Sequence, residues 1–163
     1  MLTGLNNKKA LITGAGRGIG RSIAMYLASA GVEVCLLSRS EGELKTVCEA
    51  IEAEGGKAFG FGCDARKEEE VIALFDRIEA EIGPIEVCVF NIGANVRFSI
   101  SDTTARVYFK VWEMGCFAGF LAGREAARRM EPRGRGTILF TGATASVRGR
   151  EGFSAFSGAK HAL

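Results

Sequence analysis

The sequence has one histidine, one tryptophan and a formal charge of only +2 in 163 residues, and each scarcity removes a class of function. His161 stands far from any close pair of cysteines, so a zinc-type site has no ligand set and no metal is expected. The five cysteines, Cys35, Cys48, Cys63, Cys88 and Cys116, are odd in number and lack any C-x-x-C spacing. They read as small core residues in a reducing, cytoplasmic setting, not as a disulfide framework. A charge so near neutrality gives nucleic acid or an acidic membrane surface little to hold, and the basic clusters at Arg128-Arg129 and Arg133 to Arg135 are short enough to be solvated helix ends. No run of about 18 apolar residues occurs, and segment 1–9 has no apolar stretch of the signal-peptide kind, so neither membrane spanning nor secretion is expected.

What is present is ordinary soluble composition, 47% hydrophobic and 25% charged, at a length that suits one domain with a real core. Strand-like and helix-like stretches alternate: strand 9–13 and helix 18–30, strand 32–37 and helix 41–54, strand 57–61 and helix 67–82. Strand 86–90, a long helix 103–130 and strand 137–141 follow, and 153–163 has the pattern of the first turns of another helix. The helices rest on spacing: Leu44, Val47, Cys48 and Ile51 recur at i, i+3, i+4 and i+7, and Val71, Leu74, Phe75, Ile78 and Ile82 repeat the pattern. Nearly unbroken apolar strands joined by such helices predict an α/β fold, a doubly wound parallel sheet of order 3-2-1-4-5 covered on both faces. No repeat, low-complexity tract or linker divides the chain, so 1–163 reads as one dinucleotide-binding domain.

Between the first strand and its helix stands Thr13-Gly14-Ala15-Gly16-Arg17-Gly18-Ile19-Gly20. Glycines spaced G-x-x-x-G-x-G, through Gly14, Gly18 and Gly20, remove the Cβ atoms that would keep a pyrophosphate off the backbone. The helix N-terminus adds unpaired N–H donors and the positive end of its dipole. Ile19, Ile23 and Leu27 fall four apart along one helical face, which places the loop between a buried strand and an amphipathic helix, the context a phosphate loop needs.

On these residues the chain resembles the short-chain dehydrogenase/reductase family, whose signature at this place is T-G-x-x-x-G-x-G; Thr13, Gly14, Gly18 and Gly20 match it. Asp64 after the third strand resembles the aspartate that contacts adenine, and Asn91-Ile92-Gly93 resembles the N-A-G segment after the fourth. The resemblance implies cofactor contacts at Thr13, Gly14, Arg17, Gly18, Ile19, Gly20, Ser38, Arg39, Asp64, Asn91 and Gly93. It also implies a small-molecule carbonyl or alcohol substrate and a homo-oligomer formed through the long fourth helix. It extends over essentially all of this chain, which answers to about the first two thirds of a typical member. The sequence thus reads as C-terminally truncated, without the last strands and the loop that closes over substrate. That leaves strand 137–141 at a sheet edge, where association is expected.

Cofactor choice is set at the end of the second strand, where an NAD enzyme presents an acidic residue to the ribose 2′-hydroxyl. Here the sequence is Leu37-Ser38-Arg39-Ser40. A guanidinium at Arg39 suits a 2′-phosphate, and Arg17 in the glycine loop can approach the same group, so NADP(H) is expected over NAD(H).

In the resembling family a serine and a tyrosine hold the substrate carbonyl, the tyrosine passes the proton, a lysine lowers its pKa and binds the nicotinamide ribose, and a helix asparagine completes the relay. The Y-x-x-x-K segment maps onto Phe156-Ser157-Gly158-Ala159-Lys160, so Lys160 is the one catalytic residue kept. The tyrosine is Phe156, the serine position thirteen residues earlier is Ala143, and the asparagine falls near Gly115. A phenyl ring cannot carry out general acid–base catalysis, which is worth roughly 10²–10⁴-fold. Thr141, Thr144, Ser154, Ser157 and His161 stand close in sequence but at the wrong spacing, and His161 lies about 100° around the helix from Lys160. The expectation is an oxidoreductase lineage with a degenerate proton relay, the alternative being a non-catalytic NADP(H)-binding module or an inactive fragment. Lys160, so near the last residue, is expected on a fraying turn, with a solvated side chain as the alternative to the ribose contact.

Overall fold

Alternate residues of one short strand set the layering. In β1 (Lys9–Thr13) of the computed structural model, which describes residues 4–163, Leu11 joins the apolar cluster on one face of a sheet, and Ala10 and Ile12 join the cluster on the other. Residues 1–3 of the polar segment 1–9 lie outside the described residues. In β2 (Glu33–Ser38), Cys35 and Leu37 side with Leu11, and Val34 and Leu36 with Ile12, as period-2 geometry requires. With β3 (Ala58–Gly62), β4 (Ile85–Phe90) and β5 (Thr137–Phe140) these strands make a five-stranded parallel sheet of order β3-β2-β1-β4-β5. This is the predicted doubly wound arrangement, with β3 and β5 at its edges.

The first face is covered by α3 (Glu68–Glu81) through Val71, Leu74, Phe75 and Ile78, and by α5 (Ala118–Met130) through Leu121, Ala122 and Ala126. The second is covered by α1 (Gly18–Ser29) and α2 (Glu41–Ala53), the latter through Leu44, Val47 and Ile51. In α1 the buried positions are Gly20, Ala24 and Ala28, whereas Ile19 is 63% exposed and Ile23 and Leu27 only half-buried. The expected Ile19-Ile23-Leu27 face is therefore one position out. Small residues let the helix approach β1 closely, and the larger ones are displaced to its flanks.

The long helix expected over 103–130 starts at Ala105 as α4 (Ala105–Trp112), with the Thr104 hydroxyl accepting from Val107 N at 3.3 Å as its N-cap. It runs into α5 through one π turn, Glu113–Phe117, which inserts a residue and rotates the packing face. Before that turn Val111 packs with Ala155 and Ala159 of α6 (Ser154–Ala162), and after it Leu121 and Ala122 face the sheet.

The basic clusters are not merely solvated. Glu125, 2% exposed, sits among Arg124, Arg128 and Arg129, and Arg129 also reaches Asp76 of α3. Arg133 donates to Glu79 at 2.8 Å and to the Ile85 carbonyl at 2.7 Å, and Arg135 pairs with Glu86. The expectation fails because α3 and β4 turn acidic residues toward α5, which a one-dimensional charge run does not reveal. Cys35, Cys63 and Cys88 are buried, and burial pushes their thiols up to about 12. No helix among the described residues is long and apolar enough to cross a membrane.

Candidate active site

The strand order reverses between β1 and β4, so the connections leaving their C-terminal ends diverge and a crevice opens between them. Thr13 closes its floor. Fully buried at the end of β1, it accepts a hydrogen bond from Asn91 N at 2.9 Å through its hydroxyl, tying the two strand ends together. Above it the chain turns through Gly14, whose φ of +65° favours glycine and whose missing Cβ would lie 2.7 Å from the Asn91 carbonyl oxygen. Gly20 presses on the Gly14 carbonyl so closely that any Cβ there would collide with it. Thr13 and Gly20 thus shape the crevice from below and do not line it.

Gly14, Arg17, Gly18 and Ile19 do line a cleft of about 570 Å³, together with Ser38, Arg39, Asp64, Asn91 and Gly93. Nine of the eleven positions expected to meet a cofactor are therefore brought together. The first turn of α1 has no side-chain cap, and nothing stands within 4 Å of a Cβ built on Gly18, so that turn's free N–H groups face open space. A slightly larger groove, about 630 Å³, runs between α2 and α3 along β3, but none of the loop glycines borders it.

Charges sort themselves along the cleft. Arg39 is exposed on its rim and makes neither ion pair nor hydrogen bond among the described residues, whereas Arg17 lies 3.9 Å from Glu43. Asp64 is gripped by Arg66, whose Nε donates to Oδ1 at 2.9 Å, and this guanidinium holds its carboxyl down to about 2. Glu43, Arg66 and Met114 line the cleft without having been singled out in the sequence. Only Glu43 had a signal: Ser40-x-x-Glu43 is a helix-start spacing, and the Ser40 hydroxyl does accept from Glu43 N at 3.4 Å. The same spacing carries the Glu43 carboxylate over Gly16, where a Cβ would lie 2.7 Å from it.

Beyond Gly93 the cleft meets α6. Lys160 is only 6% exposed, and its ammonium donates to the Thr141 carbonyl at 2.8 Å and the Ile92 carbonyl at 3.4 Å. The expected fraying is corrected here and the solvated alternative set aside: backbone carbonyls from two strand ends hold the side chain inside, and α6 is helical to Ala162. Burial lowers the Lys160 pKa below that of an ordinary lysine. A Cβ on Gly93 would stand 3.4 Å from Lys160 Cε and 4.0 Å from a Phe156 ring carbon, so glycine keeps this approach open. Phe156 and Ala143 share one cavity, and Gly115 sits against Ala159, the residue before Lys160 in α6. His161 turns away to the Ser146 carbonyl, 2.9 Å from Nδ1.

The glycine cradle, open helix terminus and buried ammonium fit an elongated, phosphate-bearing nucleotide. Comparisons with known proteins agree with this geometry. The short chain dehydrogenase family matches residues 8–163. A short-chain dehydrogenase/reductase of Armillaria gallica is 34% identical over 157 residues, covering 94% of this chain and 60% of that protein. Gluconate 5-dehydrogenase of Gluconobacter oxydans (strain 621H) is 33% identical over 162 residues, covering 99% and 63%. The crystal structure of a short-chain dehydrogenase from Rhodopseudomonas palustris superposes with a TM-score of 0.90 at 47% identity, covering 97% of this chain and 74% of that one. The chain thus spans about three fifths of the length of these two curated relatives.

Proposed function

This chain belongs to the short-chain dehydrogenase family, and from that premise we propose that it is the dinucleotide-binding part of an NADP(H)-dependent oxidoreductase acting on a small carbonyl or alcohol, with a degenerate proton relay. The observation that carries the reading is the single cleft that joins the glycine loop to the unpaired Arg39 and ends at Gly93, against which the buried Lys160 packs. When bound, the dinucleotide supplies or accepts the hydride. Backbone N–H groups of the α1 terminus take its pyrophosphate. Arg39 meets the 2′-phosphate with charge-assisted hydrogen bonds, and Arg17 offsets Glu43 beside it. Lys160, fixed by the Thr141 and Ile92 carbonyls, has one ammonium hydrogen left for the nicotinamide ribose.

Phe156 and Ala143 offer the substrate a wall in place of a proton donor and a carbonyl hydrogen bond. Proton delivery then falls to water, and the chemical step loses most of what general acid catalysis contributes. Calorimetric titration of the chain with NADPH and NADH tests the reading. Tighter binding of NADPH is expected; binding of neither, or a preference for NADH, sinks it.

Exposed Phe109 and Phe120, with Trp112, Phe117 and Phe120 stacked at 6.1 and 6.3 Å, support the α4–α5 surface as the contact for a second copy of the chain. Sedimentation velocity of the Phe109→Glu, Phe120→Glu double variant is expected to show the monomer where the parent sediments as an oligomer. Equal sedimentation of the two removes this surface from consideration.

A further inference from the structure

Beside the dinucleotide cleft lies a second cavity, of about 320 Å³, within the range of small-molecule sites. Its two parts differ in character. Ala143, Phe153 and Phe156 give it an apolar wall, and Phe156 also borders Gly93 and hence the cleft. Its rim is cationic: Arg148 and Arg150 both line it and are exposed, and neither makes an ion pair or a side-chain hydrogen bond among the described residues. Arg97 adds a third guanidinium to the same segment, its Nε 3.1 Å from where a Cβ on Gly152 would stand. The carboxylate in this stretch, Glu151, does not line the cavity. Such economy of acid is local, since Arg124, Arg129 and Arg133 at α5 and just after it are all paired.

Two unpaired guanidiniums above an aromatic wall select for charge and shape together. They draw an anion toward the opening and hold it with charge-assisted bonds, and the rings take an apolar body. Building on the reading that the adjoining cleft holds a dinucleotide, we propose that the substrate of this site is a carbonyl compound bearing a carboxylate. Arg148 and Arg150 hold the carboxylate, and Phe153 and Phe156 hold the body. A neutral carbonyl compound of the same size gains the apolar wall and the polar groups of Asn95, Thr144 and Ser157, but not the guanidiniums. The carboxylate also serves position. With no serine at 143 and no tyrosine at 156 to grip the carbonyl oxygen, the carboxylate anchor helps orient the molecule.

The test is calorimetric titration with benzoylformate and, separately, with its methyl ester, on the free chain and on the chain loaded with NADP+. The acid is expected to bind at least about tenfold tighter than the ester, the scale of one charge-assisted hydrogen bond. The preference should shrink as salt is added and vanish in the Arg148→Gln, Arg150→Gln double variant, while Arg148→Lys, Arg150→Lys keeps part of it. Both residues are exposed, so the variants should retain the parent's thermal midpoint. Equal affinity for acid and ester, no binding of the acid at millimolar concentration, or a preference unchanged in the double variant overturns the proposal. Acid preference in a chain that binds no dinucleotide brings down the function proposed above and leaves the anion site standing. Dinucleotide binding without acid preference does the reverse.

Discussion

Lys160 donates to the main-chain carbonyl of Thr141 at 2.8 Å, which fastens α6 to the residue that follows β5. Two opposing contributions meet in this contact. The carbonyl needs a donor, and leaving it without one costs about 1–3 kcal/mol, whereas the buried ammonium has no carboxylate partner and loses solvation. Lys160→Met removes both, so its stability to urea is expected within about 1 kcal/mol of the parent, while NADPH affinity falls about tenfold with the lost ribose contact. Unchanged affinity by calorimetry removes Lys160 from the cofactor site.

Arg39 is the second handle on cofactor choice. Arg39→Asp is expected to weaken NADPH by about 1.5–3 kcal/mol, the worth of a hydrogen bond to a charged group, and to leave NADH nearly as it was. Paired titrations decide the matter, because an equal loss for both nucleotides contradicts a 2′-phosphate contact.

Phe156 and Ala143 face one cavity, so the pair can be replaced together. Phe156→Tyr with Ala143→Ser is expected to raise the rate of NADPH oxidation with a ketone by roughly 10²–10⁴-fold, the usual contribution of a positioned acid. High turnover with Phe156 in place, or no gain in the double variant, shows that the proton travels another way.

Asp64 links the site to acid stability. The Arg66 guanidinium beside it lowers its folded pKa from 3.8 to about 2, so the folded chain binds its proton less readily than the unfolded chain. Stability from this pair is therefore present above the unfolded value and lost as pH falls through about 2, a contribution on the order of 1–2 kcal/mol. In urea unfolding followed down that range, Asp64→Asn is expected to start less stable and to lose less. A parallel decline of variant and parent separates Asp64 from the acid transition.

Much of this was legible in sequence because it is periodic or local. The i, i+3, i+4 rows of α2 and α3 mark the faces that meet the sheet, and nine of the eleven cofactor positions line one cleft. Errors arose where the third dimension decides. Ile19 fits a helical row, yet the Gly20-Ala24-Ala28 row makes the closer approach to β1 and turns Ile19 outward into the cleft. The π turn adds one residue without disturbing apolar spacing enough to be seen. Lys160 is buried by carbonyls 19 and 68 positions away in sequence, beyond the reach of any local rule. Arg66 enters the cleft only because β3 delivers it beside Asp64.

The contact between the π turn and α6 bears on the order in which substitutions can accumulate. A Cβ at Gly115 would lie 3.0 Å from the Ala159 methyl, so a side chain at 115 needs α6 or the π turn to give by a few tenths of an ångström. An asparagine entering at 115 therefore carries a packing cost against α6 that glycine at 159 would relieve. The favourable route to a four-residue relay therefore starts with a change that adds no polar group and improves no reaction step. Packing at the Gly115 and Ala159 pair thus weighs on an asparagine at 115 apart from anything it would contribute to a reaction.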